Sequence, residues 1–165
     1  MAELRTATAD DAPAGFALMM EGFEHYRTFG VPGYRPPEDP PETFAERLAA
    51  DGAWGVVAEA RGAIAGIGAF EPAKAGVISG DLVPGLAHVF AIFVTEAHWG
   101  DGTATALLGA VHAEIGARGY TEARLFTPAP HGRGRRFYAR EGWREVGEIH
   151  VEALGLDMVE LRRTL

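Results

Sequence analysis

Residues 94–108, VTEAHWGDGTATALL, hold the order of residue types that an anion site needs. An apolar run ends, Gly100 and Gly102 follow, and a helical pattern begins at Thr103. Glycine lets the backbone turn tightly and brings its N–H groups close to a ligand. The first turn of a helix adds N–H groups without intrahelical partners and the positive end of a dipole. Together these suit a pyrophosphate, although the same spacing also serves a plain strand-to-helix turn. A P-loop would need Gly-Lys-Ser/Thr here, and the dinucleotide fingerprint would need glycine where Thr105 stands, so both are excluded.

The second chemical candidate is RRFYAREGW, residues 135–143, in which Phe137 and Tyr138 sit among arginines on a short helix ended by Gly142. Tyr138 could be a core tyrosine with a satisfied hydroxyl, or a proton donor to a leaving group. The arginines could meet ligand phosphates, or only Glu141 and solvent. The six histidines (25, 88, 98, 112, 131 and 150) lack a tight ligand spacing, so no metal is expected. The absence of cysteine excludes disulfides, thiolate nucleophiles and Cys-ligated zinc.

These residues must be positioned by a scaffold whose elements the sequence outlines. A strand near 2–6 leads to Asp10 and Asp11, residue types that cap helices, and then to a helix with Phe16, Met19, Met20 and Phe23 at helical spacing. Segment 30–41, with five prolines, is loop, and a helix resumes over 42–50. Strands over 54–60 and 63–70 flank a turn at Arg61-Gly62, and 71–85 reads as loop. Leu86–Val94 is nearly all apolar and reads as a buried strand. A long helix over 103–118 closes at Gly119, and a strand at 123–127, the short helix, and strands near 144–152 and 156–163 complete the chain. The order implies an α+β fold with a parallel βαβ step across 88–127.

The chain's 165 residues make one domain of ordinary size, and 47% hydrophobic with 23% charged residues is a globular composition. A net charge of −8 argues against a broad nucleic-acid surface. No apolar run approaches the roughly 20 residues of a membrane span, and no signal peptide is evident, so a cytoplasmic protein is expected. Charge is uneven: residues 1–60 hold four arginines against eleven acids, a net −7, whereas 121–144 hold six arginines against two acids, a net +4. The two regions could face a cationic and an anionic ligand, or both could be solvated faces.

Taken together, the strand–Trp-Gly-x-Gly–helix segment and, about 30 residues on, RRFYAREGW resemble the GNAT superfamily of acyl-CoA-dependent N-acyltransferases. The resemblance spans essentially the whole chain and is strongest over 86–146. Trp99, Gly102 and Ala104 stand where the family's phosphate loop has Gln/Arg-x-x-Gly-x-Gly/Ala, and His131, Gly134, Phe137 and Tyr138 where it has Asn-x-x-Ala-x-x-Phe-Tyr. Trp99, His131 and Gly134 depart from the pattern. The implied fold is a mixed, mostly antiparallel central sheet flanked by helices, with a splayed parallel strand pair that binds acyl-CoA.

The resemblance also implies roles. Acetyl-CoA is the expected co-substrate, its pantetheine pairing with backbone at Ile92, Phe93 and Val94. Its pyrophosphate would rest on N–H groups of Trp99, Gly100, Asp101, Gly102, Thr103, Ala104 and Thr105, with His131, Phe137 and Tyr138 completing the wall. Tyr138 would protonate the departing thiolate, whose pKa is about 8.5 for a free thiol. His88, where many relatives carry Glu, is the candidate base. The first two helices and their connection would form the acceptor pocket, here Glu24, His25, Tyr26 and Phe29 with Glu21 and Tyr34 nearby. Their acidic and aromatic mix suits a small cationic amine or a peptide amine. A homodimer is possible through an exposed edge strand near 156–163. Two rival readings remain open: a non-catalytic acyl-CoA-binding or regulatory module of the same fold, and a nucleotide-binding protein unrelated to acyl transfer.

Overall fold

The computed structural model describes residues 2–165. Seven strands form one sheet: β1 (Glu3–Thr6), β2 (Trp54–Ala60), β3 (Ala63–Lys74), β4 (Leu82–Val94), β5 (Glu122–Pro128), β6 (Arg144–Val151) and β7 (Leu156–Thr164). Their order is β1-β2-β3-β4-β5-β7-β6, and every neighbouring pair is antiparallel except β4 with β5. Four helices flank the sheet: α1 (Ala12–His25), α2 (Glu42–Ala49), α3 (Thr103–Ala117) and α4 (Gly132–Arg140).

Strand periodicity divides the core into two layers. Val56, Ala58, Phe70, Ala87 and Val89 pack with Leu107, Leu108, Val111 and Ile115 of α3. On the other face Val57, Ile67, Ala69 and Ala91 pack with Leu18 and Met19 of α1 and Phe44 of α2. Helix α3 lies close to the sheet because Gly66 and Gly68 leave it room. A Cβ at Gly66 would come within 2.8 Å of Leu107, and one at Gly68 within 2.9 Å of Val111.

Two features of β4 open the sheet. Ala69 pairs with Ala91 but Phe70 with Val89, so Phe90 is an extra residue on β4, a β-bulge. Val89 and Ala91 therefore point to opposite faces although they are two residues apart. The parallel pairing of β4 with β5 covers only Leu86–Glu122, Ala87–Ala123 and His88–Arg124. Beyond that point the strands separate, β4 staying with β3 and β5 with β7.

Two expectations are corrected. Segment 71–85 is mostly strand, since the β3–β4 ladder continues through Glu71–His88, Pro72–Ala87 and Lys74–Leu82. Long-range pairing outweighs the local glycine and proline signal there. Strand 156–163 is not an edge: β7 lies between β5 and β6 and buries Leu156, Met158, Val159 and Leu161. The sheet's two edges are β1 and β6, so the dimer surface expected on β7 is not available there.

Candidate active site

A cleft of about 380 Å³ fills the fork between β4 and β5. Residues 89–94 of β4, Leu125–Thr127 of β5, the loop and first turn of α3, α4 and the end of α1 line it. Thr95 N–H donates to Ala65 O at 2.9 Å. Antiparallel alternation then turns the backbone of Phe93 toward Ile67 and leaves the N–H and C=O of Ile92 and Val94 on the open side. Phe93 contributes its ring instead, lying where a Cβ on Gly22 would be 2.5 Å away.

The α3 loop takes its shape from Gly100 (φ 79°) and Gly102 (φ 94°), both in the left-handed region. Two of the seven N–H groups expected for a pyrophosphate are engaged within the loop: Trp99 N–H donates to Glu96 O (3.1 Å) and Thr103 N–H to Asp101 Oδ1 (2.9 Å). Among the described residues, the N–H groups of Gly100, Asp101, Gly102, Ala104 and Thr105 have no protein acceptor. Asp101 and Thr103 line a small pocket on the far side rather than the cleft. Hydrogen bonds from Thr103, then from His98, hold the Asp101 carboxyl down at about 2. Its charge therefore caps the helix and does not face the cleft.

Trp99 is a strut. Its indole Nε1–H donates to Val94 O at 2.9 Å, tying the loop to the end of β4. Its ring meets His25 edge-on at 4.9 Å and carries the Arg133 guanidinium at 4.6 Å. The C-terminal end of α1 and the 3-10 turn Tyr26–Phe29 reach the other wall as well. Tyr26 stacks on Phe29 at 5.4 Å, and both contact His131, at 5.7 and 5.2 Å. Burial, then the nearby His25 and Arg133, pushes His131 down to about 4, so its ring is neutral at pH 7. The departures at His131 and Gly134 are coupled: a Cβ on Gly134 would sit 2.5 Å from the His131 ring.

Tyr138 is half-buried on the cleft wall, 5.1 Å from Phe137 and 6.2 Å from Trp143 between ring centroids. Its hydroxyl makes no hydrogen bond to any described residue, and burial raises the phenol above the ordinary tyrosine range. Tyr26 is raised too, by burial first and then by Tyr138 and Tyr34. Both phenols are fully protonated at neutral pH.

Several expected site residues lie elsewhere. His88 is 5% exposed and does not line the cleft. It is the last β4 residue paired with β5, and its Nδ1 accepts from Arg124 Nε–H at 3.3 Å. Burial, then the charges of Arg124 and Arg47, pushes it down to about 3, too weak a base to deprotonate an amine. Glu24 points to solvent and pairs with Arg27 at 2.6 Å, and Glu21 does not line the cleft. Tyr34 donates its hydroxyl to Phe23 O at 2.6 Å, fastening loop 30–41 to α1. Phe29 does not line the cleft itself and reaches it through His25, Tyr26 and His131. The acidic acceptor pocket is thus not formed, because helix geometry turns Glu21 and Glu24 outward while His25 and Tyr26 turn in.

The structure adds Gly22, Phe90, Phe126, Thr127, Arg133 and Arg140 to the cleft. Phe90 and Phe126 are each backed by a guanidinium, Arg47 at 4.2 Å and Arg124 at 5.2 Å. No local pattern marks Gly22 or Phe90, since a missing side chain and an inserted strand residue matter only against a partner. The spacing of Arg133 and Arg140 could have marked them as one face of a helix.

A forked sheet, a row of free N–H groups at a helix start and an unpartnered phenol lining the same cleft make up the candidate site. The GNAT acetyltransferase domain family matches residues 37–165, and the chain belongs to that family. No curated protein matches it. Among solved structures it is similar to a ribosomal-protein-alanine N-acetyltransferase from Brucella melitensis, with 19% identity over 99% of each chain and a TM-score of 0.78. It is also similar to yncA from Salmonella typhimurium, solved with its cofactor acetyl-CoA (17% identity, 99% of this chain and 94% of the other, TM-score 0.79). A phosphinothricin acetyltransferase from Sinorhizobium meliloti in complex with acetyl-CoA has 20% identity over 99% and 88% of the two chains, with a TM-score of 0.77. At these identities the likeness shows the fold.

Proposed function

We propose that this chain moves an acetyl group from acetyl-CoA to a primary amine, on a small molecule or a peptide, by direct attack. The observation that carries the reading is the unpartnered Tyr138 hydroxyl in the cleft that Ile92, Val94 and the free N–H groups of Gly100, Gly102, Ala104 and Thr105 also line. The residues fit the co-substrate: the N–H row suits its pyrophosphate, and the open strand edge offers hydrogen bonds to an extended amide chain. Acetyl-CoA supplies an activated acyl carbon and a thiolate leaving group.

A β4 N–H on the open side, from Ile92 or Val94, stabilises negative charge developing on the acyl oxygen. Tyr138 Oη, protonated at neutral pH, holds the proton that the thiolate needs. Tyr26, His131 and Trp99 roof the cleft and limit water at the fork. An ammonium has no lone pair, so the acceptor must lose a proton first. With His88 enclosed beside Arg124, that proton passes to solvent at the cleft mouth.

The test is release of free thiol from acetyl-CoA across a panel of small amines and peptides, run with wild type and Tyr138→Phe. Turnover with some amine, lowered about 10²-fold in the variant with unchanged acetyl-CoA binding, supports the reading. Tight binding without turnover on any amine would favour the non-catalytic module instead.

A further inference from the structure

The cleft has a charged flank that neither the loop nor Tyr138 explains. Arg133, Arg136 and Arg140 stand at i, i+3 and i+7 of α4, which puts them on one side of the helix. Arg133 and Arg140 line the cleft. Among the described residues none of the three has a carboxylate partner. Their neighbour Arg135 shows what a paired arginine looks like here, with Glu145 at 2.7 Å and Ala129 O at 2.8 Å. In a chain with 23 acids and 15 bases, three unpaired cations on one flank are a local excess.

Both ends of α4 reach the anion loop. Arg133 sits over Trp99 at the loop's start. Next to Arg140, Glu141 accepts from the Thr105 hydroxyl at 3.2 Å in the first turn of α3. The loop itself, residues 95–105, carries Glu96 and Asp101 and no lysine or arginine. Its N–H groups suit a pyrophosphate diester, but a terminal phosphate monoester carries about −1.5 to −2 charge at pH 7 and calls for cations.

We propose that Arg133 and Arg140, with Arg136 between them, bind the 3′-phosphate of the coenzyme A adenosine, and that the protein discriminates coenzyme A from its 3′-dephospho form. The assignment rests on the acyl-CoA reading of the cleft. The three side chains are exposed, so their removal leaves the fold intact.

Calorimetric titration of the full chain with coenzyme A and with 3′-dephospho-coenzyme A tests it. Wild type should bind coenzyme A about 10- to 100-fold tighter, the range for charge-assisted hydrogen bonds. The double variant Arg133→Ala/Arg140→Ala should lose that preference by weakening for coenzyme A alone, and Arg140→Lys should retain part of it. The preference should also shrink with added salt. Equal affinity of wild type for both ligands, or a preference that survives in the double variant, overturns the assignment and leaves the acyl-CoA reading standing. Binding of neither ligand by wild type overturns both.

Discussion

Gly134 is the third residue of α4, where helical propensity favours alanine over glycine by up to about 1 kcal/mol. Gly134→Ala should nevertheless destabilise the protein, because the new Cβ would lie 2.5 Å from His131 Cδ2 and 2.8 Å from Nε2. The ring cannot turn away cheaply, since Tyr26 and Phe29 flank it at 5.7 and 5.2 Å. Overpacking of this kind costs about 1–3 kcal/mol. Set against the helical gain, the single variant should fall between unchanged and about 2 kcal/mol less stable. In a His131→Ala background the steric term vanishes, and the same substitution should stabilise by up to about 1 kcal/mol. The coupling between the positions is then about 1–3 kcal/mol, read from urea unfolding of the four proteins in a double-mutant cycle. Equal effects of Gly134→Ala in both backgrounds, within about 0.5 kcal/mol, would refute the idea that the two departures compensate each other.

Other outcomes follow from the same geometry. Gly22→Ala should push the Phe93 ring out of place and raise KM for the acyl donor, which steady-state kinetics would read; an unchanged KM would show that Phe93 has room to move. Arg124→Met should lower thermal stability through loss of bonds to His88, Lys74 O (2.8 Å) and Gly76 O (3.3 Å) at the root of the fork; a Tm equal to wild type would show those bonds to be dispensable. Burial raises Tyr34 from 10 to about 12, and Tyr26 and Tyr138 further, so their contribution to stability is complete below pH 10 and is lost as pH rises toward 12. Urea midpoints at pH 8, 10 and 11 should fall accordingly, and less steeply in Tyr26→Phe. Asp11 is held near 2, chiefly by hydrogen bonds from Arg5, so its contribution is present above about pH 4 and lost as pH falls through 2. Asp11→Asn should flatten that acid limb.

Residue order alone outlined the elements, apart from the extension of β3 and β4 into 71–85, and the two chemical motifs. Apolar runs at strand and helix spacing, the glycines before α3 and the Phe-Tyr pair on α4 act within a few residues of one another, so their signals are local. Tertiary contact decided the rest. Whether a glutamate on α1 faces ligand or solvent depends on what packs against that helix, and Glu24 turned out to pair with Arg27. The bulge at Phe90 arises only from the register between β3 and β4. His88 was the expected base because it stands where many relatives carry Glu, but Arg124, 36 residues further on, makes it a buried acceptor. A histidine's proton affinity is set by the charges and solvent around it, and those are gathered by the fold from distant parts of the chain.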